Sequence, residues 1–129
     1  MRRLDGAMFE PTSIYVMDAA PLVKIGISTD PHKRVRFLQT SNGQVVRLYW
    51  YRWMDGPDAR KLEHLIHQEN KAKAIHAHGE WYYLNPAQAV DLVTSKLREV
   101  GLYSIHEANN IEVEGYPLRL STNQEEVGL

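Results

Sequence analysis

The sequence lacks cysteine altogether, which excludes disulfide bonds and thiolate metal sites. It has no apolar run long enough to span a bilayer, and no apolar signal core follows the basic residues 2–3. We therefore expect a cytoplasmic protein that does not contact membranes. Charge of one sign is not in excess either, because the 129 residues carry 15 Lys and Arg against 16 Asp and Glu, a net charge of -1. Unselective attraction to many phosphates is accordingly weak.

The charges are unevenly distributed along the chain. Residues 1–73 carry twelve Lys and Arg against eight Asp and Glu, whereas residues 74–129 carry three against eight. A basic half can dock on phosphates while an acidic half faces away. The alternative is that both halves are solvated surfaces without a function, and charge alone favours that alternative.

Hydrophobic periodicity and turn signals predict an α/β (α+β) domain: a small three-stranded antiparallel sheet flanked by helices, with an added C-terminal helix and short strands. We expect a leader over residues 1–12, the domain over 13–101 and a C-terminal extension over 102–129. The predicted elements are strands at 13–17 and 22–28, a helix at 30–39, a strand at 44–53, a helix from 55, a loop at 72–79, an extended segment at 80–84 and a helix at 85–101.

Alternation predicts which side chains share a face of the sheet. The second strand presents an apolar and a polar set on opposite faces, namely Val23, Ile25 and Ile27 against Lys24, Gly26 and Ser28. The third strand presents an apolar set on one face, namely Val46, Leu48 and Trp50. The two strands at 13–17 and 22–28 are predicted to form a hairpin.

Two tripeptides lie on this hairpin, Ser13-Ile14-Tyr15 and Lys24-Ile25-Gly26. Arg34 follows eight residues after Gly26, and Glu63 lies on a later helix. This ordered set resembles the GIY-YIG endonuclease superfamily, which is named after two such tripeptides on adjacent strands. Ser13 stands here for the first glycine of the family pattern and Lys24 for its second tyrosine.

Two further motifs narrow the resemblance. The first is a Leu-Glu-x-x-x-His motif on a predicted helix, and the last residue of this motif is His67. The second is a Gly-Glu-Trp-aromatic motif on a predicted strand, and it contains Glu80. Both look like the meiotically up-regulated gene 113-like branch of the superfamily, which is common in phages and mobile elements. The match covers residues 13–84.

The resemblance implies a metal-dependent endonuclease that hydrolyses phosphodiester bonds of nucleic acid, with DNA as the expected polymer. Tyr15 is then the base and Arg34 the phosphate clamp. Glu63 binds one divalent ion, Mg²⁺ or Mn²⁺, through its carboxylate. A tyrosine base needs its pKa lowered from about 10 towards neutrality. We expect Lys24 and Arg34 to lower it, or Lys24 to hold the scissile phosphate.

Secondary roles are assigned to residues around these. His67 either orients Glu63, contacts the leaving group or simply packs. Gly26 is expected to permit close approach of backbone or substrate, with a β-bulge as the alternative. Lys33 and Arg36 are expected to contact the nucleic-acid backbone. Glu80 is either a second acid near the metal or the partner of a helix end.

Three readings of single residue types stay open. Asn85 corresponds either to the late asparagine of better-known branches or to a helix N-cap. Aromatic residues 81–83 are interpreted as packing residues, with base stacking as the alternative. A zinc site is the minor alternative to Mg²⁺ or Mn²⁺, built from histidines: His64, His67, His76 and His78.

Other functions also remain open. The fold could hold nucleic acid without cutting it, as an inactive binding module. It could instead be an interaction domain whose acidic C-terminal half recruits a protein. We expect the C-terminal region to mediate either homodimerisation or contact with a partner protein.

Overall fold

The computed structural model describes residues 6, 8–41 and 43–102. Half of the predicted leader, namely residues 1–5 and 7, and the predicted C-terminal short strands lie outside the described residues. Eight elements follow in chain order: β1 (Pro11–Ala19), β2 (Leu22–Ser28), α1 (Pro31–Thr40), β3 (Arg47–Asp55), α2 (Gly56–Asn70), β4 (His76–His78), β5 (Trp81–Tyr82) and α3 (Pro86–Glu99). The mixed α+β class and the hairpin are confirmed. No helix in these ranges combines the length and hydropathy needed to cross a membrane.

The sheet has five antiparallel strands in the order β3-β1-β2-β5-β4, so the prediction of three strands is wrong. The two additional strands are β4, which has three residues in the predicted loop, and β5, which has two. Strands this short show no hydrophobic period of their own, and their conformation depends on pairing, of β5 with β2 and of β4 with β5. Residues 76–82 thus extend the sheet beside β2.

Helices cover both faces of the sheet. One face packs against the apolar stripes of α2 and α3, and Val16, Ile25, Leu62 and Val93 meet in this core. The opposite face carries Tyr15, Met17 and Leu48 and packs against Val35 of α1. The predicted alternation of β2 is confirmed, because Val23 and Ile25 belong to the first core while Lys24 and Gly26 point to the α1 face.

The predicted face of β3 is wrong in one respect. Trp50 pairs with Val16 and joins the core under α2 and α3, whereas Leu48 pairs with Met17 and joins the core under α1. The register shifts between Val16 and Met17, so Tyr49 is an extra residue opposite β1. Such a bulge changes which face the following side chains occupy. The simple alternation of Val46, Leu48 and Trp50 therefore fails.

Helix α3 begins at the residue that the sequence left ambiguous. The Asn85 side chain accepts a hydrogen bond from the backbone N–H of Gln88 at 2.8 Å, and the Gln88 side chain accepts one from the Asn85 N–H at 3.0 Å. This reciprocal pair is a capping box, which satisfies two otherwise unpaired donors. Asn85 is therefore a helix cap.

Replacing Asn85 with Ala should lower the free energy of unfolding by about 1 kcal/mol, because the cap's acceptor is lost. Urea unfolding followed by circular dichroism measures the change. Gln68→Ala is the matched control, since Gln68 is exposed in the last turn of α2 and its replacement should leave stability within about 0.5 kcal/mol. Equal stability of the Asn85 variant and the parent would contradict the capping role.

Candidate active site

On the edge of β2 that faces β5, regular strand pairing stops after Lys24, and we call the edge beyond this point the open edge of β2. Strand β5 pairs with β2 only at Val23 and Lys24. At the next residue, the N–H of Ile25 donates to the carbonyl of Glu80 at 3.0 Å. The carbonyl of Ile25 lies 3.1 Å from Nε2 of His67, which donates to it. Helix α2 covers the face of the sheet opposite α1. At this open edge of β2, the α2 side chains Glu63 and His67 extend past the strand.

Tyr15 lies over Gly26 on the α1 face. The two residues are directly opposed in the β1–β2 pair. A Cβ added at Gly26 would lie 2.5 Å from the Tyr15 hydroxyl oxygen and 3.0 Å from Oε1 of Glu80. Arg34 of α1 lies close enough to the Tyr15 hydroxyl to act on it and lower its pKa. The missing side chain of Gly26 therefore leaves space in which the Tyr15 phenol, the Arg34 guanidinium and the Glu80 carboxylate approach one another.

The environment of Tyr15 holds its proton tightly. Burial raises the pKa of Tyr15 well above its ordinary value, and the negative charges of Glu80 and Glu63 raise it further. The hydrogen bond and charge of Arg34 act in the opposite direction but do not outweigh them. The expectation that this pKa is lowered is therefore wrong. Lys24 does not supply it, because its ammonium group is paired with Glu80.

Two carboxylates and one ammonium group form the electrostatic centre of the site. Burial, followed by a hydrogen bond with Glu80, raises the pKa of Glu63 to about 8. Burial would also raise the pKa of Glu80, but hydrogen bonds from Glu63 and Lys24 reverse this and hold it below its ordinary value. Lys24 is itself buried, with 7% of its surface exposed. The two carboxyl groups of Glu63 and Glu80 thus share one proton, and another cation could replace it.

His67 is held by two hydrogen bonds that define its tautomer. Since a carbonyl can only accept, Nε2 carries the proton that Ile25 receives. Nδ1 then accepts from the Tyr82 hydroxyl at 2.6 Å. Burial lowers the pKa of His67, and burial raises that of Tyr82 to about 12, so both side chains keep these roles near neutral pH. The imidazole stacks on Tyr82 at a centroid distance of 5.6 Å.

Glu63, His67 and Glu80 can each offer a ligand atom within 4.8 Å of the others. Both nitrogens of His67 are engaged, so the two carboxylates are the available donors. Oxygen donors of this kind fit a hard divalent cation such as Mg²⁺ or Mn²⁺. Across residues 6, 8–41 and 43–102 this is the one cluster of its type. The four histidines considered for zinc do not assemble.

Residues 12–96 match the family model of the T5orf172 domain. The chain belongs to the T5orf172 domain family. This phage-associated domain is found in some nucleases of the GIY-YIG or HNH-like kind. No curated protein and no solved structure matches the chain. The matched segment begins in β1 and ends in α3, so it includes every residue of the site described above.

The T5orf172 domain brings most of the predicted site residues together. Six predicted residues that are far apart in the sequence meet at the open edge of β2: Tyr15, Lys24, Gly26, Arg34, Glu63 and His67. Lys33 lines a neighbouring cleft, and Arg36 is exposed on the same helix outside that lining.

Two residues of the site were not assigned by sequence reasoning. Glu80 had been left between two roles, and its contact with Glu63 and Lys24 now favours the second acid beside the candidate metal position. Tyr82 had been interpreted as a packing residue, and it is fully buried, but its hydroxyl also orients His67. A buried phenol at this place cannot stack on a base. The Gly-Glu-Trp-Tyr motif was the signal for both residues.

Gly26→Ala should destabilise the T5orf172 domain by about 1–3 kcal/mol, because the new methyl group overlaps a Tyr15 ring that has no free space to enter. Gly43→Ala is the control, since a Cβ at Gly43 meets nothing within 4 Å. Thermal and urea unfolding of both variants measure the difference. If the two variants were equally stable, Tyr15 would not lie against Gly26.

Proposed function

We propose that this chain is a metal-dependent endonuclease of GIY-YIG type that hydrolyses phosphodiester bonds, with DNA as its expected substrate. The observation that supports this proposal is the meeting of Tyr15 and Arg34 with Glu63 and Glu80 above Gly26. Helix α2 contributes Glu63 from the far side of the sheet. A domain that needed only a stable core would have no use for this convergence.

The roles of the residues follow from their chemistry. Arg34 presents a planar set of donors that matches two oxygens of a phosphate. Tyr15 presents its hydroxyl oxygen to the same place and would orient the attacking water; it would accept the proton of that water only after losing its own, which its raised pKa opposes. His67 holds the backbone of Ile25 and lies 3.9 Å from Glu63, which makes it a positioning residue. Lys24 neutralises part of the carboxylate charge through Glu80.

Glu63 and Glu80 are the residues that would hold the divalent ion. When bound, the ion supplies a Lewis acid for a phosphate oxygen and offsets the carboxylate charges that raise the Tyr15 pKa. Two carboxylates beside a phosphate site oppose binding of the bare anion. A module that only bound nucleic acid would therefore be weakened by them, which favours the nuclease over the inactive binding module.

Glu63→Gln should reduce nicking of supercoiled plasmid by at least about a hundredfold in Mg²⁺ or Mn²⁺, since the amide cannot hold the ion as the carboxylate does. Gel electrophoresis of the plasmid over time measures the rate. The matched control is Glu69→Gln, on the same helix but paired with Lys96 at 2.7 Å, and it should nick like the parent.

Three outcomes of this experiment separate the competing functions. Metal-dependent nicking that is lost in Glu63→Gln, kept in Glu69→Gln and abolished by EDTA supports the nuclease. A shift of DNA on a gel without any cutting would point to a binding module and refute the nuclease. Absence of both cutting and binding would leave an interaction domain.

Arg34→Lys should slow nicking by about tenfold to a hundredfold while leaving the fold intact, because the charge remains but the planar fork is lost. Initial rates at several plasmid concentrations measure the loss. Arg98→Lys, at an exposed position near the end of α3, serves as the control. A parent-like rate for Arg34→Lys would remove Arg34 from the phosphate site.

A further inference from the structure

Helix α1 exposes a large aromatic side chain beside the candidate active site. Phe37 leaves 62% of its surface in solvent. The guanidinium carbon of Arg34 lies 5.7 Å from the centre of its ring, one helical turn away. A single exposed apolar residue is ordinary on a protein surface. This one is distinguished by its cationic neighbour, because the same guanidinium also acts on the Tyr15 hydroxyl and lowers its pKa.

Phe37 forms one wall of a shallow cleft of about 250 Å³. The cleft lies between the end of β2 and the first turns of α1, and its lining is Ser28, Thr29, Asp30, Lys33, Arg34 and Phe37. Pockets that enclose drug-sized ligands measure roughly 300–1,000 Å³. The smaller volume suits a single flat ring system rather than a long polymer segment.

The polar groups of the cleft are of both signs. Lys33 and Arg34 are cationic, but the Asp30 carboxylate accepts the N–H of Lys33 at 3.0 Å and stays in the lining as an anion. A phosphate group would meet that carboxylate unfavourably. A neutral ring with donors and acceptors on its edge meets no such repulsion. The charge pattern therefore favours a nucleobase over a phosphate in the cleft itself.

We propose that Phe37 and this cleft bind one unpaired nucleobase next to the phosphate that Tyr15 and Arg34 address. A base inside a duplex cannot offer its face to a side chain, so the substrate is single-stranded or locally opened DNA. The proposal rests on the proposed function for the position of the scissile phosphate. Base binding itself requires neither metal nor cleavage.

The test is binding in EDTA of a short single-stranded oligonucleotide that carries 2-aminopurine, a base whose emission falls on stacking. Titration of the full chain should quench the emission. Phe37→Leu should weaken binding by about tenfold and lose the quenching, whereas Phe37→Trp should retain both. A fully paired duplex with the same probe should compete poorly.

Tyr83→Leu is the matched control. Tyr83 is 60% exposed, but it borders a groove that includes Asp18 and contains no Lys or Arg in its lining. Parent-like binding by Tyr83→Leu together with weakened binding by Phe37→Leu supports the proposal. Equal binding by the parent and Phe37→Leu would overturn it, and so would an equal loss in both variants.

The failure of this inference can be distinguished from that of the proposed function. If Phe37→Leu nicks plasmid with an unchanged KM and binds the oligonucleotide like the parent, the nuclease stands and the base site falls. If the parent quenches 2-aminopurine through Phe37 but no metal supports cutting, the base site stands and the nuclease falls.

Discussion

The backbone N–H and carbonyl of Ile25 need hydrogen-bond partners just beyond the paired residues of β2 and β5. The arrangement of the site depends on which groups supply them. Ile25 is fully buried, and leaving its N–H or carbonyl unpaired would cost about 1–3 kcal/mol for each group. The N–H is satisfied by Glu80 and the carbonyl by His67. These two bonds bring the turn before β5 and the last turn of α2 to one point on β2. Glu63 and the Glu80 carboxylate consequently arrive beside Gly26.

This convergence places charges where burial opposes them. Two carboxylates approach each other while the Lys24 ammonium group pairs with Glu80, and Glu63 retains a proton at neutral pH with a pKa of about 8. Apolar residues of similar size would stabilise the fold at least as well. Burial and, after it, the same carboxylate charges raise the pKa of Tyr15, the residue that hydrolysis would require as a base. A divalent cation in place of the shared proton would offset the carboxylate charges at both Glu63 and Tyr15, and burial would remain the opposing contribution at Tyr15.

Local signals were sufficient for the parts of the fold that local interactions determine. The helix starts at Asp30 and Asn85 were predicted because a capping residue followed by proline starts a helix in most contexts, and the structure then decided the role of Asn85, which the sequence left open. The β4 strand, the pairing of the predicted extended segment 80–84 with β2 and the bulge at Tyr49 were missed. The last two depend on pairing with a distant segment, and β4 pairs with β5. The same distinction between local and long-range interactions applies to the site. Spacing from Gly26 identified Arg34, but the sign of the Tyr15 pKa shift depends on burial and on Glu80, fifty-four residues from Gly26 in the sequence.

The net charge of the chain constrains how it could hold nucleic acid. With a net charge of -1 and a basic surface limited to its first half, the chain can neutralise only a few phosphates. Affinity must then come from contacts that do not scale with the number of phosphates. Stacking of an unpaired base on Phe37 is such a contact, and it lies one helical turn from the guanidinium that would hold the phosphate. On this proposal α1 binds two adjacent parts of one nucleotide, which aligns the scissile bond with Tyr15 without an extended basic surface.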